Sequence, residues 1–273
     1  MATAKKKAVT VKGSTDVAQR QSLDAFLDAT AGQGLEEASR DAFTTPLLRI
    51  LQDLSPQTKK TKAEYIPGAK PGMIFNTATK EVYERIVVLP CYFTETYIEW
   101  IPRDDGGGLV AVHPKDTALI HQTTRDGSKQ VLPNGHELAL THSQFVVRMK
   151  DEGGAEACVI PMSSTNLKLS KNWNTQQLAS KQPTVERQRG YATYHWMYEL
   201  GSQEVSNAKG TWYQWVIGPR EQCLNIEALQ AAQAFYSMLR SGAAQKVDYA
   251  AMSDPIDAKV SDAPNDLDNE IDA

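Results

Sequence analysis

The chain has 273 residues, which is enough for one large domain or for one domain with tails, and 41% of them are hydrophobic. It contains no apolar run of about 18 residues, and its three cysteines lie far apart without a CxxC motif, which argues against a transmembrane helix, a disulfide framework and a zinc knuckle. The net charge of −4 excludes no partner by itself, because the acidic residues are concentrated near the C-terminus.

The N-terminal part is expected to be a flexible arm followed by a short helix. Residues 1–15 are polar, basic and unpatterned, which predicts a disordered arm. Residues 16–29 predict a short helix with Leu23 and Phe26 on one side. Residues 46–51 are apolar and are expected to pack on the core.

A strand-rich region begins near residue 72. Segments rich in β-branched and aromatic residues predict strands at 73–76, 82–93, 97–101, 109–112, 138–149, 157–162, 191–199 and 211–217. Turns are predicted at 77–80, 133–135 and 151–154, and the polar segment 201–210 is predicted to be the loop of a long hairpin.

Two helices are predicted in the second half of the chain. Residues 163–180 show helical spacing and begin with serines that can cap a helix. Residues 225–240 place apolar side chains at steps of three or four, with Asn225 as the N-cap and Gly242 as the stop.

The C-terminal residues 246–273 are predicted to be a disordered acidic tail. They carry eight acidic residues and two lysines, whereas residues 1–245 carry 27 basic and 25 acidic residues. The tail therefore has a net charge of −6 and the remainder a net charge of +2, so the body is free to bind an anionic partner. The fold class follows as α+β and β-rich, with residues 16–245 forming a single domain between two disordered ends.

Basic and aromatic side chains are interleaved in residues 161–220. This stretch has seven basic, three acidic and eight aromatic residues, including four of the five tryptophans. Single-stranded nucleic acid offers phosphate charge, which Lys and Arg neutralise, and base faces, on which aromatic rings stack. The predicted contact residues are Lys168, Lys171, Trp173, Arg187, Arg189, Tyr194, Trp196, Trp212 and Trp215.

Each of these assignments has a structural alternative. The aromatic residues of the two last strands would serve equally well as the core of a β-sheet. Lys168 and Lys171, at positions i and i+3, place two cations on one face of a helix beside Trp173. The same spacing also fits a solvated helix edge above a buried tryptophan.

The sequence shows no motif for catalysis or for a metal. DDGGG at 104–108 lies outside any GxxxxGK[ST] pattern, and the five histidines form no HxH, HExxH or Cys/His cluster. A nuclease needs clustered carboxylates to bind its metal ions, and the body shows none at a convincing spacing. We therefore expect a protein that is not an enzyme and that uses no cofactor.

Four segments resemble a set found together in single-stranded DNA-binding proteins of tailed phages. They are GLEEASRDAFTTPLLRILQDLSP (34–56), GAKPGMIFNTATKEVY (68–83), YIEWIPRDDGGGL (97–109) and PMSSTNLKLSKNW (161–173). The family that they resemble is that of the N4-like and related podoviruses. The resemblance implies an OB-like or OB-related barrel or sheet decorated with helices, which binds single strands without strong sequence preference in phage DNA replication and recombination.

The resemblance also implies a setting and partners. A phage protein of this kind acts in the cytoplasm of the host cell, away from membranes, on single-stranded DNA. The acidic tail is expected to compete with DNA for the basic groove and to recruit replication or transcription proteins. The alternative functions are a viral structural or interaction protein and a single-strand annealing recombinase, and a homo-oligomer is compatible with each of them.

Overall fold

The computed structural model describes residues 44–151, 153–180, 190–208, 210–242 and 246–252, and single positions between 20 and 37. Its contacts divide the chain into two units, Met1–Ala42 and Phe43–Ala273. In the first unit the described residues from 20 to 30 are helical, as the sequence predicts for this region. The predicted arm at residues 1–15 lies outside the described residues.

The second unit is a β-rich α+β structure, and this coarse fold class is as predicted. Its described strands are β1 (Thr44–Thr45), β2 (Leu48–Ile50), β3 (Ile74–Asn76), β4 (Val82–Tyr83), β5 (Ile86–Ile101), β6 (Gly108–Pro114), β7 (Thr124–Asp126), β8 (Lys129–Val131), β9 (Glu137–Met149), β10 (Ala155–Ser163), β11 (Trp196–Asn207), β12 (Gly210–Gln222) and β13 (Lys246–Val247). Its helices are α1 (Asn166–Ser180) and α2 (Ile226–Arg240).

One antiparallel sheet of eight strands dominates the unit. Its strand order is β12-β11-β5-β9-β8-β7, with β10 also paired to β9 and β6 to β5. The register shifts between Pro90 and Tyr92 in β5 and between Tyr198 and Leu200 in β11. Such bulges bend a strand and increase its twist, which is consistent with the curled, half-barrel form of this sheet.

Both faces of the sheet are buried. Along β9, Val146 packs into one core, whereas its neighbours Phe145 and Val147 pack into the other, as the two-residue period of a strand requires. The first core is completed by β2, β3 and α1, and the second core is covered by α2. The β-rich core is therefore two layers of apolar side chains separated by the sheet.

Helix α2 shows why its sequence folds as predicted. Its buried residues recur at helical spacing and are Ala228, Ala232, Phe235 and Leu239. The Asn225 side chain accepts a hydrogen bond from the Ala228 amide at 3.0 Å, and Gly242 follows the helix at φ 70°. The predicted N-cap and stop are both confirmed, and they satisfy backbone groups that a helix end leaves without partners.

The hairpin of β11 and β12 differs from its prediction. The segment predicted as a polar loop, 201–210, is mostly strand, because β11 continues to Asn207 and pairs with β12 up to Gly210. The strand predicted from residue 191 begins only at Trp196, after a 3₁₀ turn at Thr193–His195. The polar composition of residues 201–210 predicted a loop, but most of them form a strand because they pair across the hairpin.

The acidic tail cannot begin at residue 246, where the sequence predicted its start. Strand β13 pairs in parallel with β1, and Tyr249 is buried with its hydroxyl 2.8 Å from Ser143 Oγ. Residues 246–252 therefore belong to the folded body, because Val247 and Met252 pack on the second core and Tyr249 is buried. The remaining predicted tail, 253–273, lies outside the described residues and holds seven acidic residues and one lysine.

Candidate nucleic-acid interface

Two of the predicted contact residues are part of the core. Trp173 is 0% exposed and Trp215 is 3% exposed, and both belong to the first core. The Trp173 ring meets Tyr198 edge to face, with centroids 5.5 Å apart. Neither tryptophan has a ring face open to a base, so the prediction for these two residues is replaced by a packing role.

The other predicted rings lie on different sides of the sheet. Trp196 packs on the first core, with the Arg220 guanidinium 4.7 Å from its ring centroid, whereas Tyr194 packs on the second core. Trp212 is half-buried on β12, opposite Val205 of β11. The structure does not bring these tryptophans together with Tyr194 into one groove.

The predicted cations divide into two groups. Lys168 and Lys171 are exposed on α1 while Trp173 is buried, as the alternative of a solvated helix edge describes, and their contact with DNA stays a prediction. Arg187 and Arg189 lie outside the described residues, and their role stays a prediction.

A groove of about 640 Å³ brings together one predicted ring and several residues that were not predicted. We call it the aromatic groove. It is lined by Cys91, Tyr92, Phe93, Asn174, Gln177, Leu178, Ala192, Thr193, Tyr194, Tyr236 and Arg240.

The aromatic groove lies at a gap in the strand pairing. Strand β5 pairs with β11 through Ile86–Val88 and with β6 from Thr96 onward, and β9 occupies its other edge. Between these two pairings, the described ladder leaves one edge of β5 open near Tyr92 and Phe93. The open edge lies between α1, which packs on one face of the sheet, and α2, which packs on the other.

The rings of the aromatic groove hold one another in place. The centroid of Tyr236 lies 6.1 Å from that of Tyr194 and 6.3 Å from that of Tyr92. Phe93 meets the His142 ring edge to face at 5.1 Å. Burial raises the pKa of Tyr194, so its phenol stays neutral and can both stack and donate a hydrogen bond.

The charge of the groove is positive. Arg240 lines it from the last turn of α2, and no carboxylate is found among the described lining residues. Lys171 lies on the same side of α1 as Asn174 and Leu178, three and seven residues further on. Burial raises the pKa of the Cys91 thiol to about 12, so it adds no negative charge.

A buried polar network supports α1 beside the groove. His142 Nδ1 lies 3.0 Å from Ser170 Oγ, and its Nε2 lies 3.3 Å from a Glu95 oxygen. The order Ser, His, Glu resembles that of a hydrolase triad, but Ser170 is 0% exposed beneath the helix. In this structure the contact of Ser170 with His142 fastens α1 to the sheet.

A second acidic group is enclosed by two histidines. Glu99 is 7% exposed, and its oxygens lie 2.8 Å from His113 Nε2 and 2.7 Å from His136 Nδ1. The hydrogen bond from His136, followed by that from His113, holds the pKa of Glu99 below its ordinary value. In the part of the chain that the structure describes, no group of three or more His, Cys, Asp or Glu is placed to hold a metal ion.

Sequence patterns missed most of the aromatic groove because its residues come from separate segments. Tyr92 and Phe93 lie in a segment predicted as an ordinary strand, and Tyr236 and Arg240 lie in the predicted amphipathic helix. The helical pattern did place Tyr236 on the apolar side, but nothing local showed that this side would meet β5. None of the described helices has the length and apolar character needed to cross a bilayer.

Comparison with known proteins identifies a family. A family model described as "Pam3 phage gp34-like protein" matches residues 17–245, which is most of the chain. No curated protein matches the sequence, and no solved structure matches it. The chain is therefore a phage protein, and it belongs to the Pam3 phage gp34-like family.

Proposed function

We propose that this protein binds single-stranded DNA without sequence specificity, in phage DNA replication or recombination, and that it acts without catalysis. One observation carries the proposal. The aromatic groove combines four aromatic rings with Arg240, and none of the described residues that line it is a carboxylate. Aromatic rings stack on the bases of a single strand, and cations neutralise its phosphates.

Two further features support the same function. The described body ends at Met252, and the residues after it carry a net charge of −6. This acidic segment is therefore separate, in the sequence, from the residues that line the groove. The curled antiparallel sheet is also the type of framework on which OB-related proteins hold single strands. An OB relationship and a kinship with the N4-like phage proteins are part of the proposal, as is recruitment of other replication proteins by the tail.

The test is a binding titration of the full chain with a dye-labelled oligo-dT, followed by fluorescence anisotropy. We expect saturable binding whose log K falls by about 0.7 per log unit of salt for each phosphate neutralised. We expect Tyr194→Leu to weaken binding about fivefold or more, because stacking contributes about 1–3 kcal/mol per base. Arg240→Gln should weaken binding and reduce the salt slope by about 0.7.

Matched controls make the test specific to the groove. Tyr65→Leu changes a half-buried tyrosine and Lys62→Gln an exposed lysine, and neither residue lines the groove. Both controls should bind like the unmodified chain, and thermal melts should show that all variants fold. Absence of binding would refute the proposal and favour an interaction protein, whereas annealing of complementary strands would favour the recombinase alternative.

A further inference from the structure

The wall of the aromatic groove on α1 carries two side-chain amides, those of Asn174 and Gln177. Both are bonded to the amide of Gln144, which is 0% exposed on β9. Gln144 Nε2 donates to Asn174 Oδ1 at 2.6 Å, and Gln144 Oε1 accepts from Gln177 Nε2 at 3.4 Å. One buried amide therefore orients two amides that line the groove.

The direction of these hydrogen bonds follows from the groups around Gln144. His142 Nδ1 lies 3.0 Å from Ser170 Oγ, whereas His142 Nε2 lies 3.3 Å from a Glu95 oxygen without forming a hydrogen bond. Ser170 Oγ in turn accepts from Gln144 Nε2 at 3.2 Å. This fixes the nitrogen of Gln144 toward Ser170 and Asn174, and its oxygen toward Gln177.

The consequence is a defined pair of groups at the groove wall. Asn174 uses its oxygen on Gln144, which leaves its Nδ2 group as a donor, and Gln177 uses its nitrogen, which leaves Oε1 as an acceptor. Among the described residues, neither of these two remaining groups has a protein partner. The groove thus offers one donor and one acceptor beside its aromatic rings.

We propose that Asn174 and Gln177 bind the Watson–Crick edge of an unpaired base whose face stacks on the rings of the groove. Every base has a neighbouring donor and acceptor on that edge, and in a duplex both are occupied by the opposite strand. The amide pair therefore accepts any base but only from an unpaired strand. This inference rests on the proposed function and deepens it, because it names the feature that separates single strands from duplex DNA.

The test compares three labelled oligonucleotides of equal length on the full chain: oligo-dT, oligo-N3-methyl-dT and an abasic strand. The methyl group blocks the N3 donor of thymine but leaves the phosphates and the stacking ring in place. We expect the unmodified chain to bind oligo-dT about fivefold or more tightly than the methylated strand, because about one hydrogen bond is lost. The abasic strand should bind most weakly.

Variants of the amide pair complete the test. Gln177→Met removes the acceptor that thymine N3–H would meet, and it should bind oligo-dT and its methylated form equally. Asn174→Leu removes the donor that a thymine carbonyl would meet, and it should weaken binding to oligo-dT but keep the preference over the methylated strand. The matched control is Asn172→Leu, an exposed position of α1 outside the groove, which should keep the preference.

The outcomes separate this inference from the proposed function. Equal binding of oligo-dT and its methylated form by the unmodified chain would overturn the edge contact while single-strand binding stands. No binding of any strand would overturn both. Because the decisive comparison uses the unmodified chain, it does not depend on whether a variant folds.

Discussion

Gly72 lies where the segment before β3 meets the hairpin of β11 and β12. Its φ is +86°, and a Cβ atom at this position would lie 2.9 Å from the ring of Tyr213. Its carbonyl also accepts a hydrogen bond from the Ser202 hydroxyl. Both the left-handed backbone and the close approach of the ring therefore require a residue without a side chain.

Replacement of Gly72 by Ala should lower the free energy of unfolding by more than the backbone cost of about 1–2 kcal/mol. The control is Gly68→Ala, since Gly68 has the same φ of +86° and nothing within 4 Å of an added Cβ. Urea denaturation of both variants measures the difference, which reports the contact with Tyr213. Equal losses for the two variants would show that the ring moves away at no cost.

His142 makes stability depend on pH. Burial lowers its pKa below the ordinary 6.5, the charges of Lys171 and Lys115 lower it further, and Glu95 opposes them. The unfolded chain therefore binds this proton at a higher pH than the folded chain does. The stability associated with neutral His142 is complete above about pH 6.5, and it is lost as the pH falls below that value.

We expect His142→Gln to flatten the pH dependence of Tm below about pH 6.5, because it removes the group whose protonation opposes folding. Thermal melts across this range check the expectation. His121→Gln, which changes an exposed histidine, should leave the slope unchanged. A slope that survives in the His142 variant would assign the pH dependence to other groups.

The two helices are held to the sheet in different ways. Helix α2 buries an apolar stripe, whereas α1 buries Ser170 and Gln177 together with Leu167 and Trp173. Two of these four buried residues are polar and belong to a hydrogen-bonded network. Hydrogen bonds are directional, so the network sets the orientation of α1. The orientation of α1 in turn decides which groups face the aromatic groove.

This difference explains how much could be predicted from the sequence. The caps of α2 follow local rules, and so its start and end were predicted correctly. Its apolar side was predicted in part, since Ala232 and Leu239 are buried whereas Ile226 is exposed. The polar contact of α1 depends on Gln144 and His142, which lie more than 20 residues away, and no periodic pattern in α1 reveals it. Trp173 is buried for the same reason, since its side of the helix meets Tyr198 across the core.

At the scale of the whole molecule, an ion pair of the large sheet also contacts the small sheet. Arg148 on β9 is 5% exposed and donates to the Glu156 carboxylate from Nε at 3.0 Å and from a terminal nitrogen at 2.8 Å. Asn76 of β3 also donates to Glu156, and the Arg148 guanidinium lies 4.4 Å from the ring centroid of Tyr83 in β4. The pair therefore ties the small sheet of β2, β3 and β4 to the large one.

Removing one member of this pair should destabilise the fold more than removing both. Arg148→Met leaves the Glu156 carboxylate without its main partner and should cost about 3–5 kcal/mol of unfolding free energy. The double variant Arg148→Met, Glu156→Gln should recover a large part of that loss, because no uncompensated charge remains. Chemical denaturation measures both values, and additive losses in the double variant would contradict this account.

The burial of Trp173 and Trp215 has a spectroscopic consequence. Two of the five tryptophans are sealed in an apolar core, away from the aromatic groove, where their indole emission is shielded from water. The intrinsic fluorescence of these two residues will shift to longer wavelength when the core opens, and it will stay nearly constant when a ligand occupies the groove. The emission of these two tryptophans therefore reports unfolding, and it can be measured in the same sample as the binding of a dye-labelled partner.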